Sequence, residues 1–215
     1  QDLSAVVSDS PVKRYSVSRE NLISHERAIE EAMKIHTVLP VRFATIAESE
    51  DKVKKILERE YNRFVDLLKN MEGKKELGLK AVFKEDIVYK EILANNDGIR
   101  IKKEKMAKDA KTVRYQELIE LGSLVETALV EEKRRYKDDI LNVLEPLALG
   151  VKVNNTYGEH MIINAAFLIE RQKEPEFDQK VGILADNYTD KMKFKYVGTL
   201  PPFNFVNIEI NTKEY

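Results

Sequence analysis

From Leu77 to Leu200 the hydrophobic period of the chain switches repeatedly between strand and helix spacing, and the order of the switches restricts the fold more than any other feature. Leu77, Leu79, Ala81 and Phe83 fall on one side of an alternating run, with Lys80 and Lys84 on the other, which predicts a strand. A short helix after Asp86 ends at the turn signal Asn95-Asn96-Asp97-Gly98. Between Lys111 and Leu144, residues Leu118, Leu121, Val125, Leu129, Tyr136, Ile140 and Leu144 keep helical register, which predicts a long helix with Gly122 as its weak point. Val151–Asn155 and Met161–Glu170 read as two strands, and Asn164, the one polar residue inside the second run before its terminal Glu170, is expected to be a hydrogen-bonded core amide. Glu174 and Pro175 open a helix carrying Phe177, Val181, Leu184 and Tyr188. Lysine then alternates with Met192, Phe194 and Tyr196 in a last strand. Strand, helix, strand, strand, helix, strand is the ferredoxin-like (βαββαβ) order, here with a long helix.

The residues before this block read as a smaller unit. A helix from about Ser18 to His36 places Leu22, Ile29, Met33 and His36 on one stripe. In "HTVLPVRFATIA", Val38, Pro40 and Arg42 alternate with Leu39, Val41 and Phe43, which predicts a strand with Pro40 at an edge, a start or a bulge. Arg42 is expected to pair with a carboxylate such as Glu26 and so join helix to strand. Ser49 caps a second helix, whose stripe runs from Val53 to Met71 and stops at Gly73. "DLSAVVS" alternates like a strand already under way, so an earlier segment is expected before Gln1. The expectation is an α+β protein of two domains: an N-terminal small α/β domain over 1–75, lacking its first strand, and a C-terminal modified ferredoxin-like domain over 76–215.

Composition removes several classes of function. Among 215 residues there is no cysteine, so no disulfide, thiolate nucleophile or Cys-ligated metal is available, and the cytoplasm is the default compartment. Lys and Arg (36) balance Asp and Glu (37), which leaves no field to gather nucleic acid or an anionic membrane. No apolar run approaches the ~20 residues of a bilayer span, so no direct membrane insertion is expected. His25 and His36 stand eleven apart with no third ligand at a recognisable spacing, and neither a Gly-rich phosphate loop nor a nucleophile elbow appears. No catalytic residue, cofactor or metal site is therefore expected. The lysine-rich "IRIKKEKMAKDAK", interrupted by Glu104 and Asp109, reads as a solvated, partly disordered loop.

The end of the last strand, "YVGTLPPFNFV", raises a separate question. Pro201 and Pro202 fix φ at two successive positions, which predicts a stiff extended corner. If extension continues, Phe203 and Phe205 point to one side and Asn204 to the other. The first reading is that Phe203, Phe205 and Val206 fold back and plug the core, since large apolar side chains are ordinarily buried. The second makes Pro201, Pro202, Phe203 and Phe205 partner-contact residues, because a preordered aromatic loses little entropy on binding.

Three segments carry a family likeness. "HERAIEEAMKIHTVLPVRFATI" resembles the signature of the gas vesicle protein F and L family, with His25, Pro40, Arg42 and Phe43 at its marked positions. "MIINAAFLIER", containing Asn164, and "GTLPPFNFV" are similar to that family's later motifs, in the same order; Ala44 stands where the family usually has glycine. The resemblance implies a non-enzymatic accessory or minor structural component of gas vesicles, working in the cytoplasm and at the vesicle. Its implied partners are the major gas vesicle shell protein and other gas vesicle accessory proteins, with no nucleic acid among them. A second expectation, from fold class alone, is a ferredoxin-like small-molecule-binding regulatory protein.

Overall fold

The computed structural model describes residues 3–11, 13–108, 115–208 and 210. The chain divides into two compact units, one of Gln1–Leu77, Leu168–Arg171 and Gly198–Tyr215, the other of Gly78–Phe167 and Gln172–Val197.

The first unit begins with three helices. Helix α1, Arg19–Met33, is capped by Ser18, whose hydroxyl accepts from the Asn21 N–H at 3.2 Å. Ser49 caps α2, Glu50–Arg59, in the same way through the Lys52 N–H, and Glu50 and Asp51 sit in its first turn. The single helix expected from Ser49 to Met71 is two helices. Glu60, at φ −91° and ψ 9°, leaves helical geometry, and α3 restarts over Tyr61–Met71 with Phe64 buried. Gly73, at φ +68°, turns the chain out of α3.

The strand expected over Thr37–Ala47 does not form, nor does one over Leu3–Ser8; among the described residues no strand precedes Lys74. Pro40 has no N–H to give to a ladder. A few residues on, Ala44 takes φ 61° and the Thr45 N–H and hydroxyl both return to the Arg42 carbonyl, at 3.2 and 2.7 Å, closing a turn where a strand would have to continue.

Among the described residues four strands make one sheet: β1 Lys74–Phe83, β2 Gly150–Val153, β3 Met161–Glu170 and β4 Met192–Leu200, in the order β2-β3-β1-β4. The pairing is antiparallel throughout, as the register bonds Phe83 N–H to His160 C=O (2.9 Å), Lys84 N–H to Lys191 C=O (2.9 Å) and Asn154 N–H to Asn164 C=O (2.7 Å) require. Between β1 and β2 lie α4 (Glu85–Asn95), α5 (Asp97–Lys108) and α6 (Tyr115–Leu144), and α7 (Glu174–Asn187) joins β3 to β4. Helices α4, α5 and α6 pack on one another and α7 packs on α6. The lysine-rich stretch expected as a loop is helical up to Lys108, and the rest of that expectation lies outside the described residues. Ile99 explains the helix: it is buried, which anchors one face of α5. Gly122 does not break α6, which runs unbroken for 30 residues.

The core of the second unit is apolar. Phe167 and Phe177 are fully buried with ring centroids 5.1 Å apart, and Leu79, Ile92, Ile140 and Leu144 are buried as completely. Burying each such side chain contributes about 1.5–3 kcal/mol. Among the described residues no helix is long and apolar enough to cross a membrane.

Candidate functional site

The closing segment of the first unit starts with a kink. Thr199 takes φ 41°, and its hydroxyl accepts from Lys75 Nζ at 3.0 Å. Pro201 and Pro202 follow and are buried. The Phe203 N–H then donates to the Pro201 carbonyl at 2.7 Å, and the N–H groups of Phe205 and Val206 both reach the Pro202 carbonyl, at 3.1 and 3.0 Å. The segment is therefore a tight turn, and the extended corner expected from the two prolines is corrected. Once the Pro202 carbonyl collects two donors, strand alternation ends, so Phe203 and Phe205 do not share a side by that rule. Phe203 is 40% exposed, Phe205 is half-buried and Val206 is buried.

A buried carboxylate holds this turn. Glu76, on β1 and only 2% exposed, accepts from the Asn204 backbone N–H at 3.0 Å and from Asn204 Nδ2 at 2.6 Å. Burial pushes the Glu76 carboxyl above the usual carboxylate range, while the two donors of Asn204 pull it partly back. Beside Pro202 lies a cavity of about 20 Å³, lined also by Met33, Val38, Met71 and Leu168. It has room for about one water molecule.

The signature residues near α1 are structural in their contacts. His25 Nε2 lies 2.7 Å from the Val41 carbonyl oxygen and its ring meets Phe43 edge-on at 5.8 Å, so α1 is fastened to the segment after it. Pro40 is buried there. Arg42 is exposed and makes no ion pair with Glu26 among the described residues. Its side chain stays in water, where no buried charge demands a partner. Asn164 is half-buried, and its Nδ2 donates to the Asn155 carbonyl at 2.9 Å, pinning the chain that leaves β2.

In the second unit a polar cluster surrounds Tyr136 of α6. Lys191 Nζ lies 2.5 Å from Glu91 Oε1 and donates to the Tyr136 hydroxyl at 2.9 Å, and that hydroxyl donates to Glu91 Oε2 at 3.3 Å. The Tyr188 ring meets Tyr136 edge-on at 5.3 Å, and its hydroxyl donates to Asp139 at 3.3 Å. Hydrogen bonds to Glu91 and Tyr136 hold the Lys191 ammonium well above the usual lysine range. Each charge has a protein partner, which suits a cluster that fixes helix against strand. Along the first half of α6 an open groove of about 690 Å³ is lined by Leu118, Gly122, Val125, Leu129 and Lys133. Among the described residues no three His, Cys, Asp or Glu side chains converge as a metal site.

Glu76 and Lys191 were not singled out from the sequence, and Tyr136 was read only as part of the apolar stripe of α6. Asn204 carried a usable signal, as the one polar side chain within Pro201–Val206. Glu76 carried less, since the adjacent Leu77 is also buried and strand alternation allows only one of the two on a given face.

Residues 1–207 match the family described as Gas vesicle synthesis protein GvpL/GvpF. The chain belongs to this family. Gas vesicle protein F of Nostoc sp. (strain PCC 7120) is 28% identical over 204 residues, spanning 94% of this chain and 83% of that protein. The crystal structure of GvpF from Anabaena sp. PCC7120 resembles the fold with a TM-score of 0.77 at 29% identity, covering 94% of this chain and 83% of that one. GvpF from Microcystis aeruginosa gives 0.73 at 25% identity, over 93% and 83% of the two chains. All three sequence segments that carry the likeness fall inside the matched range, and a gas vesicle-related role follows for this GvpL/GvpF chain.

Proposed function

We propose that this GvpL/GvpF protein is a non-enzymatic assembly factor or minor structural component. It binds the hydrophobic major shell protein in the cytoplasm, keeps it from aggregating, and works with other gas vesicle accessory proteins at the growing vesicle. A shell subunit with exposed apolar strands and helices associates indiscriminately before assembly, so a partner that covers this surface answers a physical need. The observation that carries the reading is the 40% exposure of Phe203 on a turn held by buried prolines and by the Glu76–Asn204 pair. A ring fixed at the surface loses little freedom when a partner covers it. Residues 76–215 are read here as a modified ferredoxin-like domain, a reading supported by the strand order β2-β3-β1-β4 and by helices between β1 and β2 and between β3 and β4.

The test is co-expression of this chain with the major shell subunit, followed by affinity capture. Selective capture of the subunit, with less of it in the insoluble fraction, is expected. An unchanged insoluble fraction and no capture would overturn the reading.

A further inference from the structure

We propose that the outer edge of β4, from Met192 to Val197, accepts an extended strand bearing carboxylates at alternate positions. The site lies within the second unit, does not involve the Phe203 turn, and stands independently of the shell-binding reading.

Among the described residues the sheet order places β4 at an edge, with β1 as its one strand neighbour. The Lys84 N–H to Lys191 C=O bond sets the register. In a regular strand the N–H and C=O of one residue point the same way and alternate along the chain, so those of Lys193 and Lys195 face β1 and those of Phe194 and Tyr196 face outward. Such an edge is satisfied by another extended backbone, the basis of strand addition. No proline interrupts β4. The strand is also held in place: the Tyr196 hydroxyl donates to Asp178 at 2.5 Å and its ring stacks against Phe177.

The side chains then choose the occupant. Lys193 and Lys195 are exposed on one face and make no ion pair among the described residues. A second copy of β4 would bring lysine against lysine, and like charges directly opposite are destabilising. A strand with Glu or Asp on the lysine face, and apolar residues on the face shared with Phe194 and Tyr196, places opposite charges across the new ladder.

The experiment titrates the full chain with a capped nine-residue peptide alternating valine and glutamate, and follows amide exchange by NMR. Controls are the same peptide with lysine for glutamate and one with a central proline. Saturable binding with slowed exchange at the Phe194 and Tyr196 amides is expected. The lysine and proline peptides, and the double variant Lys193→Glu/Lys195→Glu tested with the glutamate peptide, should each bind at least tenfold more weakly. A Lys193→Gln/Lys195→Gln variant serves if charge reversal lowers the melting temperature. Absent binding, binding without protection of those two amides, or equal binding of the proline peptide would each overturn the proposal.

Discussion

Asn204 gives both its backbone N–H and its side-chain amide to Glu76, at 3.0 and 2.6 Å, and so ties the turn after β4 to the first strand. The turn and strand meet although 128 residues separate them, and the acceptor is a buried carboxylate. Replacing Asn204 by alanine leaves one carboxylate oxygen with no side-chain donor. Leaving a buried polar group unsatisfied costs about 1–3 kcal/mol. Urea denaturation of Asn204→Ala should show a loss of about 2 kcal/mol; a midpoint equal to wild type would mean that the pair is not formed.

The same carboxylate makes stability depend on pH. Its folded pKa is raised by burial, so the folded state holds the proton more tightly than the unfolded chain. The contribution is fully present below the unfolded value of about 4.3 and is lost as pH rises through the folded pKa. Stability measured from pH 4 upward should therefore contain a declining component, and Glu76→Gln should remove it. An identical slope in both proteins would assign the dependence to other groups.

Ala44 offers a stabilising change. At φ 61° it sits in left-handed geometry that costs an L-residue about 1–2 kcal/mol. Glycine relieves this, while its greater freedom in the unfolded chain takes back roughly 0.4–1 kcal/mol. Ala44→Gly should raise stability by about 0.5–1 kcal/mol in thermal or urea melts; a loss would show that the turn relaxes without strain.

How far this was legible follows from the kind of interaction involved. Elements defined by local periodicity, such as β3, α7 and the helix capped by Ser49, stood in the sequence because period and capping chemistry are local. The segment around Pro40 alternates like a strand, yet a left-handed Ala44 and a missing N–H defeat it, and alternation alone does not report either. The break at Glu60 was hidden because the apolar stripe continues across it from Val53 to Met71. The Glu76–Asn204 pair is a contact of long sequence separation, which no local pattern encodes. Of the closing segment, its apolar composition was readable and its turn was not, because the two donors on the Pro202 carbonyl belong to the folded backbone.

The division at residues 75 and 76 is open to a direct trial. Among the described residues strands β1 to β4 and helices α4 to α7 lie from Lys74 onward, so a fragment spanning 74–215 carries the described sheet. It should unfold in one sigmoidal thermal transition. A broad, non-cooperative melt would mean that the preceding helices are part of the same folding unit.

The proposed contact between the exposed ring of Phe203 and the shell subunit is tested most directly by a binding isotherm on Phe203→Ala, run beside its melting curve. A contact residue that anchors an interface costs about 2 kcal/mol or more when truncated, which is over tenfold in affinity. That loss is expected with a melting temperature within a few degrees of wild type. Wild-type affinity in Phe203→Ala, with the folded fraction unchanged, would contradict it.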